Sequence, residues 1–144
     1  MLLKRIMFTS MLALVSTTTF ANVSTITIKD NRDLEWHSMQ GSYGKYAVIT
    51  GNPKKNEFFA VRIKFPANHA IPAHHHLNYE YDTVISGTCY LASGKNGDKS
   101  KGTAVKAGQF VIIPPNTPHY GWTTNRGAII QVSGIGPWGP IYEK

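Results

Sequence analysis

Phe58-Phe59-Ala60-Val61-Arg62-Ile63-Lys64-Phe65 places Phe59, Val61, Ile63 and Phe65 on one face and Ala60, Arg62 and Lys64 on the other. A period of two marks a β-strand with one buried face. Outward from it, short runs rich in β-branched and aromatic residues recur: Val23 to Ile28, Tyr43 to Thr50, Tyr79 to Ile85, Thr88 to Ser93, Gly102 to Lys106, Gln109 to Ile113, His119 to Thr124 and Ala128 to Ser133. Breakers lie between them: Asn52-Pro53, Pro66, Pro72, the Ser93 to Asp98 cluster, Pro114-Pro115-Asn116 and Pro118. Such residues disfavour strand interiors or favour turns. With no helix-period stretch, the expectation is an all-β domain of about nine short strands, a sandwich or a barrel. The tail, Gly134 to Pro140, is too rich in Gly and Pro for regular structure, with Trp138 and Ile141 expected to pack back on the body.

The chain has 144 residues, 42% hydrophobic and 16% charged. That suits one globular domain and argues against both a multidomain machine and a disordered chain. Cys89 is the single cysteine, which excludes an intrachain disulfide and a cysteine-based zinc site. It reads as a small buried hydrophobe.

Lys4 and Arg5, the apolar run Ile6 to Val15 and the small residues of Thr19-Phe20-Ala21 have the order of a secretory signal peptide. The expected boundaries are therefore a signal peptide at 1–21 and a mature domain at 22–144, periplasmic or secreted, with no membrane association once the signal is removed. Losing two positive charges lowers the formal net charge from +7 to +5. The remaining lysines sit among Gly, Asn and Pro, as on solvated loops, and no basic stripe points to nucleic acid.

Chemistry concentrates in Ala73-His74-His75-His76-Leu77-Asn78-Tyr79-Glu80. On a strand, His74 and His76 share a face while His75 points away, and Glu80 has the same parity if the strand persists. His119, opening a later strand, adds a third imidazole. Three nitrogens and one oxygen suit a divalent transition metal with positions left open. A triple-His run alone is more often a solvated loop; the companions carry the metal reading. Asp82 also shares the parity of Glu80: a regular strand aims it into the barrel to orient a histidine or move a proton, and a bulge after Glu80 turns it to solvent. His69 and His37 read as structural, and Tyr90, Phe110 and Trp122 as core or pocket lining.

The segment His74-x-His76-x3-Glu80-x6-Gly87 resembles the first motif of the cupin superfamily, and Gly108-x5-Pro114-x-Asn116-x2-His119 resembles the second, twenty residues further on. The resemblance spans roughly residues 57 to 133. It implies a single jelly-roll β-barrel whose metal is held by His74, His76, Glu80 and His119. Gly41 to Phe65 and the tail are similar to a bacterial group of small ChrR-like cupins. Asn68 and Asn116 stand where the family pattern has Gly, and Thr123 where it often has Asn. Asn tolerates the left-handed backbone that Gly supplies, and none of the three is a ligand.

The resemblance further implies a metal-dependent enzyme, an oxygenase, isomerase or lyase, acting on a small oxygen-rich molecule. The alternative is a non-catalytic module that senses or carries a metal or small ligand. The donor set suits Zn, Mn, Cu, Ni or Fe. A homodimer would cover the edges that a short open barrel exposes.

Overall fold

The computed structural model describes residues 25–39 and 44–144. The signal-peptide expectation at 1–21 lies outside them. Among the described residues nine strands run β1 (His37–Ser38), β2 (Lys45–Thr50), β3 (Phe58–Phe65), β4 (Ala70–His75), β5 (Glu80–Ser93), β6 (Thr103–Lys106), β7 (Phe110–Ile113), β8 (His119–Ile135) and β9 (Ile141–Tyr142). A 3-10 turn, Lys99–Lys101, is the sole helical element among the described residues. The all-β jelly-roll expectation holds.

Every pairing is antiparallel, and two long strands organise the rest. Along one edge β8 pairs with β4 through His119 to Trp122 and with β3 through Ala128 to Ile135. Along its other edge it pairs with β5. In turn β5 pairs with β7 through Glu80 to Thr83 and with β6 through Thr88 to Leu91. The sheet therefore curls on itself, and the inward faces enclose the interior.

The curl is set where β5 and β8 cross. Gly87 has φ +78° and Gly127 φ +69°, and a Cβ on Gly87 would collide with the Gly127 carbonyl oxygen. Only glycine takes this conformation at such close approach. Gly87→Ala is therefore expected to cost about 2 kcal/mol through left-handed strain and displaced backbone, to be checked by urea unfolding. An unchanged midpoint would show that the crossing relaxes freely.

Phe59, Val61, Ile63 and Phe65 all point inward and are buried, and the core also holds Val84, Ile130 and Val132. Ala60, on the opposite face, is buried as well, so that face is only partly solvated. Asn68 and Asn116 have φ +54° and +57°, the left-handed backbone expected where asparagine replaces a motif glycine.

Several boundaries differ from expectation. Residues 25 to 28 form no strand, and Ile26 and Ile28 are about nine-tenths exposed. Four of the expected short strands are the halves of β5 and β8. The tail is more regular than its Gly and Pro content suggests: β8 reaches Ile135, and β9 pairs with His74 and His75 of β4. Trp138 packs against the core, whereas Ile141 is 41% exposed. Phe110 is exposed on β7, so it is neither core nor pocket lining. Tyr90 and Trp122 stack on each other with ring centroids 5.1 Å apart.

Candidate metal centre

His74 and His119 are direct cross-strand partners in the β4–β8 register. Two segments 45 positions apart in sequence therefore present imidazoles side by side, with centroids 4.3 Å apart. His76 lies just past the end of β4 and keeps the parity of His74; its ring stands 4.9 Å from that of His74 and 5.5 Å from that of His119. One ring nitrogen of each lies within 4.8 Å of the others, and all three residues are buried. The three histidines can thus hold a metal ion.

The chain turns after His76, so Glu80 does not continue the strand of the histidines. It opens β5 instead, and a separate strand brings its carboxylate to the same place. Glu80 Oε2 lies 2.9 Å from His76 Nε2 and accepts the indole N–H of Trp138.

Each imidazole is oriented through its other nitrogen. Nδ1 of His74 lies 2.7 Å from the Pro72 carbonyl, that of His119 2.9 Å from the Thr117 carbonyl, and that of His76 2.9 Å from the Gly139 carbonyl. A carbonyl only accepts, so each Nδ1 carries a proton, and a ring with no second proton keeps its lone pair on Nε2. The buried His76 Nε2 has no hydrogen-bond partner. Facing a carboxylate oxygen at 2.9 Å, that nitrogen is satisfied by a cation between the two acceptors, a proton in the metal-free chain or a metal ion in its place. The donor set accordingly fits a divalent transition metal.

Burial pushes the His74 imidazole down to about 4, against the Pro72 hydrogen bond and reinforced by His119 and His76. His119 is lowered too, chiefly by burial. Both rings are therefore neutral and ready to ligate at neutral pH. In the metal-free chain the unfolded state binds more protons at His74 than the folded state between pH 6.5 and about 4. The stability this group contributes is complete above pH 6.5 and is lost as pH falls toward 4. Metal-free wild type should thus lose more stability than His74→Gln between pH 7 and pH 4.5 in chemical denaturation. Parallel losses would remove His74 as the source.

Burial opposes ionisation of Glu80, but hydrogen bonding and charge from His76, with the Trp138 N–H, hold its carboxyl below the ordinary value. Asp82 goes the other way. Burial, repulsion from Glu80 and the hydrogen bond between the two raise it well above the carboxylate range. Asp82 takes the inward orientation: it lines the central cavity, and the register shifts on β5 fall between Val84 and Ser86 and between Gly87 and Cys89, not after Glu80. Its Oδ1 is buried without a partner. Cys89 is buried as expected, and its thiol is pushed up to about 12 by burial and then by Asp82.

The cavity measures about 600 Å³, ample for a small ligand. It is walled by the histidines, Glu80, Asp82 and much of the core. His69, read as structural, also borders it, stacked on Phe65 at 5.3 Å. His37 stays on β1 against Tyr46. His75 points away from the other histidines and meets Glu143 at 2.7 Å, which also binds Lys95 at 2.7 Å.

The sequence puts Trp138 on the body and Gly139 in an irregular tail, with no part for either in the site. Trp138 stacks on His76 at 5.5 Å with an 11° interplanar angle, and its N–H reaches Glu80. Gly139 holds His76. No local pattern signals these contacts, because they bridge about 60 positions.

The cupin domain family matches residues 61–130. No curated protein matches the sequence. Among solved structures, the polyketide cyclase RemF from Streptomyces resistomycificus superposes with a TM-score of 0.64 at 16% identity, over 83% of this chain and 88% of that one. An RmlC-like cupin from Shewanella frigidimarina gives 0.61 at 18%, over 78% and 94%. KdgF from Halomonas sp. gives 0.60 at 14%, over 76% and 92%. At these identities the likeness establishes the fold alone.

Proposed function

The chain belongs to the cupin superfamily, and from that premise we propose that it is a metal-dependent enzyme acting on a small molecule inside its barrel. His74, His76, His119 and Glu80 are the ligands of a divalent transition metal. The observation that carries this reading is the set of three Nδ1-to-carbonyl hydrogen bonds, which leaves three Nε2 lone pairs beside the Glu80 carboxylate.

A bound metal of this kind supplies Lewis acidity or activates a coordinated ligand. The chain's own residues do the remainder. The cavity wall excludes bulk water and Trp138 keeps Glu80 aimed. Asp82, whose ionisation is opposed by burial and by the neighbouring Glu80, is placed to give a proton to a bound ligand and take it back, while its unpartnered Oδ1 accepts a hydrogen bond from that ligand. This proton-handling position favours an enzyme over a non-catalytic sensor or carrier, which would need no such group beside the metal.

Export to the periplasm or beyond rests on residues 1–21. The ChrR-like placement rests on residues 41–65 and the tail. A homodimer is supported by an outward ladder in which Tyr79 stacks on Tyr81 and Tyr81 on Phe110, with Ile112 beside it 59% exposed.

One preparation tests the proposal. Tag-free chain recovered from a bacterial periplasm should begin near Asn22, elute as a dimer and carry about one transition-metal ion by elemental analysis. Absence of metal after reconstitution with Zn, Mn, Co, Ni and Cu would end the metal reading. An uncleaved N-terminus would end the export reading, and a monomer the dimer.

A further inference from the structure

The cavity has two chemically distinct poles, and they narrow the ligand that the proposed metal centre serves. Along β5 the inward positions run Glu80, Asp82, Val84, carboxylates first and hydrocarbon after. Four residues of strand separate Glu80 from Val84 by about 13 Å. Across the barrel the hydrocarbon continues: Val84 pairs with Ile130 and Ile130 with Ile63. Ile63, Phe65, Val84, Val105, Ile130 and Val132 are all buried and all border the cavity.

Apart from His69, whose ring stacks on Phe65 at the cavity border, and the exposed rim, hydrogen-bonding capacity inside gathers at one place. Among the described residues, the buried side-chain polar atoms left without a partner are His76 Nε2 and Asp82 Oδ1. Both residues border the cavity, and both adjoin Glu80. The Cys89 thiol is directed to the Tyr90 carbonyl at 3.5 Å. Lys95 and Tyr142 border the cavity too, but they are exposed. The Lys95 charge is met by Glu143.

Charge sets the head of the ligand. A dication, three neutral imidazoles and one carboxylate leave a single positive charge. The body faces hydrocarbon, where each hydroxyl left without a partner weakens binding by about fivefold or more and each buried methylene strengthens it about fourfold.

Resting on the metal centre proposed above, we infer that the ligand is a monoanionic oxygen donor, such as a carboxylate or enolate, carrying a hydrocarbon body rather than a polyhydroxylated one. The oxygen-rich molecule expected from the sequence is thereby narrowed to one whose oxygens lie at a single end.

Acids with a common head and different bodies test this. The Co(II)-loaded chain is titrated with 2-hydroxypropanoate, 2-hydroxybutanoate, 2-hydroxyhexanoate and gluconate, following the cobalt absorption bands and the heat of binding. All four acids present the same α-hydroxycarboxylate to the metal. Affinity should rise about fourfold per methylene along the first three, and gluconate should bind at least about tenfold more weakly than 2-hydroxyhexanoate. Cobalt bands with a flat series, or with gluconate the tightest ligand, would overturn the hydrocarbon pole while leaving the metal centre intact. Absence of protein-bound cobalt would overturn the centre and this inference together.

Discussion

Replacing His74 and His119 together by alanine is expected to reduce bound metal from about one ion per chain to near zero. The two rings are paired across β4 and β8, so their loss removes both strands' imidazoles and leaves only His76 with Glu80. Two donors seldom retain a transition metal against dialysis, since structural and catalytic sites use three or four. The stabilisation that metal confers goes with it: about 4 kcal/mol at a free metal concentration a thousand times Kd. Elemental analysis and thermal unfolding with and without metal measure both losses. The inward hydrocarbon of β3 is untouched by the substitutions, so a folded double variant is the expected host. Equal metal in variant and wild type would mean that the ion sits elsewhere.

Trp138→Ala should damage both the fold and the centre. The indole packs against Phe59 with centroids 5.5 Å apart, stacks on His76 and donates to Glu80. Truncating a large packed aromatic costs about 3 kcal/mol or more, and removing a partner that aims a metal ligand typically lowers metal affinity ten- to a hundredfold, in order of magnitude. Trp138→Phe separates the two effects. It keeps a ring against Phe59 and His76 but offers Glu80 no N–H, so stability should largely return while affinity stays reduced. Calorimetric metal titration beside urea unfolding resolves them. Full affinity in the phenylalanine variant would assign the indole to packing alone.

The strand at Phe58–Phe65 was legible to the residue because its alternation comes from one buried face, and alternation is a local property. The four proposed donors were legible for a different reason: their spacing is peculiar, and the turn residues around them agree. Elsewhere local signals misled. The expected strands stop at Ile85 and Thr124 and restart at Thr88 and Ala128, but the residues between are bends within two continuous strands, paired along both arms. Pro72 hid β4, which accommodates it where the ladder with β8 shifts register between Ile71 and His74. The parity argument brought Glu80 to the correct face through a strand that in fact ends at His75, because the turn returns the chain to the same interior. What no periodicity could supply was the tail. Trp138 and Gly139 lie beyond residue 130, where the family match stops, yet each fixes one of the four donors. The physical unit of the site is therefore longer than the recognisable one.

The interior of this barrel is both its core and the wall of its cavity, since Val84, Ile130 and Val132 serve in each. Natural selection cannot then adjust selectivity and robustness separately. Enlarging the chamber by trimming a wall residue weakens the apo-protein, and a bulkier wall residue that firms it up shrinks the space for guests. Descendants that acquire new guests would be expected to carry compensating changes on the outer face of the sheet, far from the proposed metal centre.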